Sequence, residues 1–135
     1  MPLLVAHARA ARAQAYAPYS RYAVGAAVLA DDGRVFGGCN VENAVYGATV
    51  CAERVAVWAA VAAGARRLVA LAVVTPNGGT PCGCCRQVLA EFGDADLAVA
   101  VAGPAGPFDV CRLGELLPRA WTRDDPGAGA APSDA

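Results

Sequence analysis

The run Leu68 to Thr75, LVALAVVT, has no polar side chain until its last residue. Such a stretch leaves no face for water and is far too short to span a membrane. It reads as a central strand covered on both faces. The rest of the chain must then supply helices for two layers. Leu3 to about Tyr16 is rich in Ala, Leu, Arg and Gln and predicts a first helix, stopped by Ala17 to Ser20, APYS. Ala23 to Ala30 and Arg34 to Cys39 read as two strands joined in hairpin style by Asp31, Asp32 and Gly33, with Gly37 and Gly38 expected to turn the backbone sharply. Cys51 to Ala63 predicts a second helix, apolar almost all round and so expected to be buried, with Gly64 as its C-cap. A third helix from Cys82 to Phe92 is ended by Gly93. DLAVAVA and GPFDVCRL give fourth and fifth strands, and LGELLPRAW a last helical turn.

Strands alternating with helices from Leu68 onward imply crossover connections and a mainly parallel half-sheet, with the early hairpin as the antiparallel part. The expected fold is α/β, a three-layer α/β/α sandwich around a mixed sheet of about five strands. The domain spans residues 1–121. From residue 122 onward TRDDPGAGAAPSDA has no periodicity and reads as a disordered tail.

With 135 residues, 56% of them hydrophobic, the chain can bury a core without disulfide staples. Eleven basic residues, all arginine, face twelve acidic ones for a net charge of -1, with no basic block. That argues against a nucleic-acid surface. No stretch reaches membrane length. The N-terminus resembles a targeting peptide only superficially, since His7 and Arg9 break its apolar run and no charge precedes it; it reads as an amphipathic helix. A cytoplasmic location is therefore expected, where thiols stay reduced.

Three of the six cysteines fall within TPCGCCRQVL, residues 80–89. They could be disulfide partners, a redox pair, buried small hydrophobes or metal ligands. Two predicted helices begin with cysteine, at Cys51 and at Cys82, and a helix N-terminus favours thiolate over thiol. At about 100° per residue, Cys82 and Cys85 lie about 60° apart on one helix face while Cys84 points about 200° away. Cys51, Cys82 and Cys85 would make three ligands and leave tetrahedral zinc one open position, as in a catalytic site. Glu53, two positions after Cys51, can then exchange a proton with water held there.

GCNVENAVYGATVCAER and PCGCCRQVL resemble the two signature segments of the cytidine deaminases, small zinc-dependent nucleoside deaminases, and AYAPYSRYAVGAAVL and LGELLPRAW extend the resemblance over nearly the whole chain except the tail. The resemblance implies hydrolytic deamination of cytidine and 2'-deoxycytidine to the uridines in pyrimidine salvage. It implies one zinc per subunit on Cys51, Cys82 and Cys85, with Glu53 as the proton shuttle. Asn40 and Glu42 would bind the ribose hydroxyls, and Tyr22, Ala52 and Trp121 would contact substrate. Arg54 and Arg86 would donate to ligand sulfurs. It further implies a homotetramer whose subunits help to close one another's sites, and a nucleoside as the only partner besides. Tyr22 stands where the family commonly has phenylalanine, Trp121 replaces a C-terminal phenylalanine, and Cys84 replaces a small residue. Deamination of a modified cytosine nucleoside such as blasticidin S is a second reading. A thiol-redox or zinc-binding module is a third, against which Glu53 and Cys51 speak.

Overall fold

A computed structural model describes residues 1–123. The expected disordered tail falls almost wholly on residues 124–135, outside the described residues. The elements run α1 (Pro2–Arg12), β1 (Gly25–Ala30), β2 (Val35–Cys39), a 3-10 turn (Tyr46–Ala48), α2 (Ala52–Ala62), β3 (Leu68–Val74), α3 (Gly83–Phe92), β4 (Ala98–Ala102), β5 (Phe108–Arg112) and α4 (Leu113–Leu116).

The five strands form one sheet in the order β2-β1-β3-β4-β5, with the apolar run β3 at its centre. Alternate side chains of this sheet go to two cores, as strand geometry requires. On one side Ala26, Val28, Leu71, Val73 and Val99 pack with Ala56, Val57 and Ala60 of α2 and Leu89 of α3. On the other, Ala27, Ala72, Val74 and Ala100 pack with Leu4, Val5 and Ala8 of α1. The result is the expected three-layer sandwich. No helix of the described residues is long and apolar enough to cross a membrane.

Four local expectations are corrected. The sheet has one parallel pair, β3 with β4, while β1 pairs antiparallel with both β2 and β3. β4 and β5 are also antiparallel, because the segment between Ala102 and Phe108 is too short for a crossover and closes a hairpin instead. α1 stops at Arg12, short of Tyr16. The backbone of Tyr16 is drawn into pairing with the segment after β2, accepting from Glu42 N (2.8 Å) and donating to Asn40 O (2.9 Å). Tertiary pairing overrides helix propensity here.

Gly37 and Gly38 make no turn; both lie within β2. Gly38 is the point where α2 rests on the strand: a Cβ there would meet Ala56 N at 2.5 Å and Ala52 O at 2.6 Å. Gly25 does the same for α1 on the opposite face, beneath Ala8 O and Arg12 N. Finally, α2 is not buried all round, because its outer face carries Trp58, which is 53% exposed.

Candidate active site

The first turns of α2 and α3 bring the cysteines together. Cys51 and Cys82 occupy the N-cap positions in extended conformation, and neither uses its side chain to cap the helix. Both thiols are therefore free for other work. Cys51 Sγ lies 3.9 Å from Cys82 Sγ, and Cys82 Sγ lies 3.5 Å from Cys85 Sγ. All three sulfurs fall within 4.8 Å of one another. Tetrahedral zinc-thiolate geometry with bonds of about 2.3 Å requires sulfurs about 3.8 Å apart, so the trio fits one ion. Cys84 is exposed and outside this cluster, while Cys85 is buried.

The electrostatics agree with a thiolate site. Cys51 is held well below the ordinary thiol range, first by a hydrogen bond from Cys85 and then by Arg54, whose Nη2 donates to its sulfur at 3.4 Å; burial opposes both. Cys85 is pushed up by the same hydrogen bond, by burial and by the charge of Glu53. Arg54 Nε is buried without a hydrogen-bond partner among the described residues. An unspent guanidinium donor beside the cluster suits a ligand set that gains negative charge when all three thiols deprotonate.

Glu53 lies in the first turn of α2 and is 5% exposed. Burial raises its carboxyl to about 7, and the neighbouring charge of Cys51 adds to the rise. A carboxyl so placed changes protonation state readily near neutrality, as a proton shuttle needs.

A cleft of about 400 Å³ opens above these residues, with Tyr22, Asn40, Glu42, Ala52, Glu53 and Cys82 among its walls. Ala52 is fully buried at the start of α2, where the backbone N–H groups have no intrahelical acceptor. Asn40 and Glu42 are buried and partly occupied by the chain itself. Asn40 accepts from Val24 N through Oδ1 (2.9 Å) and donates from Nδ2 to Tyr22 O (2.8 Å). Glu42 Oε1 accepts from Tyr19 N (2.9 Å) and Ser20 N (3.1 Å), and Oε2 accepts from Ser20 Oγ. Each keeps spare capacity: one N–H and one lone pair on the amide, and one lone pair on Oε2. They thus hold the wall formed by residues 19–24 and still face the cleft. Tyr22 donates its hydroxyl to Asn77 Oδ1 at 2.6 Å, which ties that wall to the loop after β3.

One residue, Arg86, differs from expectation. The donors of Arg86 reach no sulfur among the described residues; they go to Pro81 O, Leu116 O and Thr80 Oγ1. The residue follows Cys85 on the helix, and its side chain folds back over the loop before α3. Trp121 lies outside this chain's own cleft. It is 53% exposed beside Trp58 and Gln87, and its carbonyl accepts from Gln87 Nε2 at 2.9 Å. Ser20, Thr75 and Thr80 also line the cleft. Of these only Ser20 carried a signal, as the polar end of APYS.

Three sulfurs placed to hold one ion would leave a fourth position free beside a carboxyl raised to about 7. That is the equipment of a hydrolytic metalloenzyme, the class this fold and site define. Residues 3–101 match the family model described as the cytidine and deoxycytidylate deaminase zinc-binding region. The chain is 51% identical over 125 residues to a cytidine deaminase of Mycobacterium tuberculosis, covering 91% of this chain and 90% of that one. It is 46% identical over 124 residues to one of Sporosarcina psychrophila, covering 90% and 91%. Among solved structures, the cytidine deaminase of Burkholderia pseudomallei superposes with a TM-score of 0.84 at 49% identity, over 89% of this chain and 98% of that one. The chain belongs to the cytidine and deoxycytidylate deaminase family, whose matching region is zinc-binding.

Proposed function

We propose that this chain catalyses hydrolytic deamination of cytidine and 2'-deoxycytidine, giving uridine or 2'-deoxyuridine and ammonia. The observation that carries the proposal is the buried Glu53, with its carboxyl raised to about 7, adjoining a three-sulfur cluster at the floor of a nucleoside-sized cleft. Cys51, Cys82 and Cys85 would hold the zinc, which when bound would supply Lewis-acid activation of the attacking water. Glu53 would carry the two protons of that water in turn, one to ring N3 and one to the amino group leaving C4 as ammonia. Arg54 balances the charge of the sulfurs through Cys51. Asn40 and Glu42 offer their spare donor and acceptors to the ribose hydroxyls, and the Tyr22 ring forms the side of the cleft on which the base stacks.

In this reading residues 1–121 are the catalytic domain, acting in pyrimidine salvage in the cytoplasm. The working form is a homotetramer. Tyr46 (84% exposed), Val45, Trp58, Val110 and Trp121 are uncovered apolar side chains, and an interface between subunits would bury such a surface. Trp121, absent from its own cleft, would then reach a neighbour's. The names borne by the relatives favour the simple nucleoside over a modified one.

An ultraviolet assay of purified protein with cytidine, deoxycytidine, cytosine and blasticidin S tests the reading. Absorbance should fall with the first two. A flat trace with every nucleoside would overturn it.

A further inference from the structure

The three thiols are held in place by different means. Cys85 is fully buried within α3. Cys51 caps α2 and takes the hydrogen bond from Arg54. Cys82 stands likewise at the N-cap of its helix, but it is exposed, takes no hydrogen bond from an arginine among the described residues, and follows the buried Pro81, which has no N–H to donate.

The Arg86 side chain supplies a further anchor. Its Nε donates to Pro81 O at 2.7 Å, the carbonyl of the peptide bond that joins Pro81 to Cys82. Its Nη2 donates to Thr80 Oγ1 at 3.0 Å, and its Nη1 reaches Leu116 O, at the end of α4, at 2.7 Å. One rigid planar group therefore fixes two successive loop residues against a helix that follows thirty residues later. The adjoining Gln87 holds Trp121 O in the same way. A lysine, with one nitrogen at the end of a flexible stem, could not span all three acceptors.

We infer that Arg86 is the positioning residue of Cys82: by pinning the Pro81–Cys82 peptide to α4, it sets the direction in which Cys82 presents its sulfur to Cys51 and Cys85. The inference rests on the metal-site reading above. It makes α4 and the segment after it part of the support of the metal site. It also separates the two arginines by task, Arg54 acting on sulfur charge and Arg86 on sulfur placement.

The test is chelator-driven zinc release, followed with a chromogenic chelator well below the unfolding temperature. It compares wild type, Arg86→Ala, Arg86→Lys and, as a control, Arg9→Ala. Arg9 is an arginine of the same structural kind, clamping Gly103 O and Gly106 O across the β4–β5 turn. Arg86→Ala should release zinc at least about tenfold faster than wild type. Arg86→Lys should fall between the two, and Arg9→Ala should match wild type. Millimolar guanidinium ion should slow release from Arg86→Ala. In cobalt-substituted protein the thiolate-to-cobalt absorption should weaken in both Arg86 variants. Should Arg86→Ala not fold, Arg86→Lys and Thr80→Val, which removes the acceptor of Nη2, carry the comparison. Wild-type release rates with an unchanged cobalt spectrum, or equal acceleration in Arg9→Ala, would overturn the inference alone. A wild-type protein that binds no zinc would overturn the metal reading and the inference together.

Discussion

Cys51 caps α2 and Glu53 stands in the first turn of the same helix, so the negative charge on the Cys51 sulfur adds to the burial that raises the Glu53 carboxyl to about 7. The proposed ligand and the proposed proton carrier are thus coupled by helix geometry, two residues apart in sequence. Replacing Glu53 by Gln keeps the shape and removes the titrating group. Glu53→Gln should retain one zinc per chain by metal analysis and lose about 10²- to 10⁴-fold in turnover. A near-normal rate would place the shuttle elsewhere.

The cysteines of the α3 segment should divide by position. Cys84→Ala should leave zinc content and cytidine turnover unchanged, since Cys84 is exposed and outside the cluster. Cys85→Ala should lose the metal. Metal analysis of both variants decides, and loss of zinc from Cys84→Ala would contradict the assignment of helix faces.

Glu42 should make the fold sensitive to acid. Its carboxyl is held below the ordinary value of 4.5, chiefly by the hydrogen bond from Ser20 Oγ and then by the N–H groups of Ser20 and Tyr19. A lowered folded-state value means stability that is present above pH 4.5 and lost as pH falls through that value toward the folded one. Denaturant unfolding of metal-free protein from pH 6 to pH 3 should show a steeper loss in wild type than in Glu42→Gln. Parallel curves would show that the Ser20 contacts contribute nothing.

The two glycines of β2 should respond differently to the same change. A Cβ at Gly38 meets the backbone of α2, which cannot yield, while one at Gly37 makes ordinary contacts, Ala11 Cβ at 3.6 Å and Ala26 O at 3.9 Å. Gly38→Ala should cost about 1–3 kcal/mol or more in denaturant unfolding, and Gly37→Ala far less. Equal effects would mean that α2 does not depend on this contact for its seat.

What could be read in the sequence was whatever local periodicity determines. Helix rotation alone separates Cys82 and Cys85 from Cys84, and the unbroken apolar run of β3 demands two covering layers. The features that were hidden depend on distant partners. A tandem Gly37–Gly38 reads as a turn until α2 is laid upon it. Tyr16 reads as helical until Val41 and Glu42 arrive to pair with its backbone. Arg86 follows a ligand and so reads as a donor to sulfur, because its true acceptor, Leu116 O, belongs to a segment thirty residues away. Asn40 and Glu42 read as sugar-binding groups, and nothing local shows that they also hold the wall formed by residues 19–24.

The central claim is that hydrolysis depends on one zinc held beside Glu53. The direct measurement is cytidine turnover against zinc content, in protein stripped with a thiol-tolerant chelator and then titrated with zinc. Activity should be absent without metal and rise in proportion to bound zinc, levelling off at one ion per chain. Full activity in the stripped protein, or none at one zinc per chain, would contradict the account.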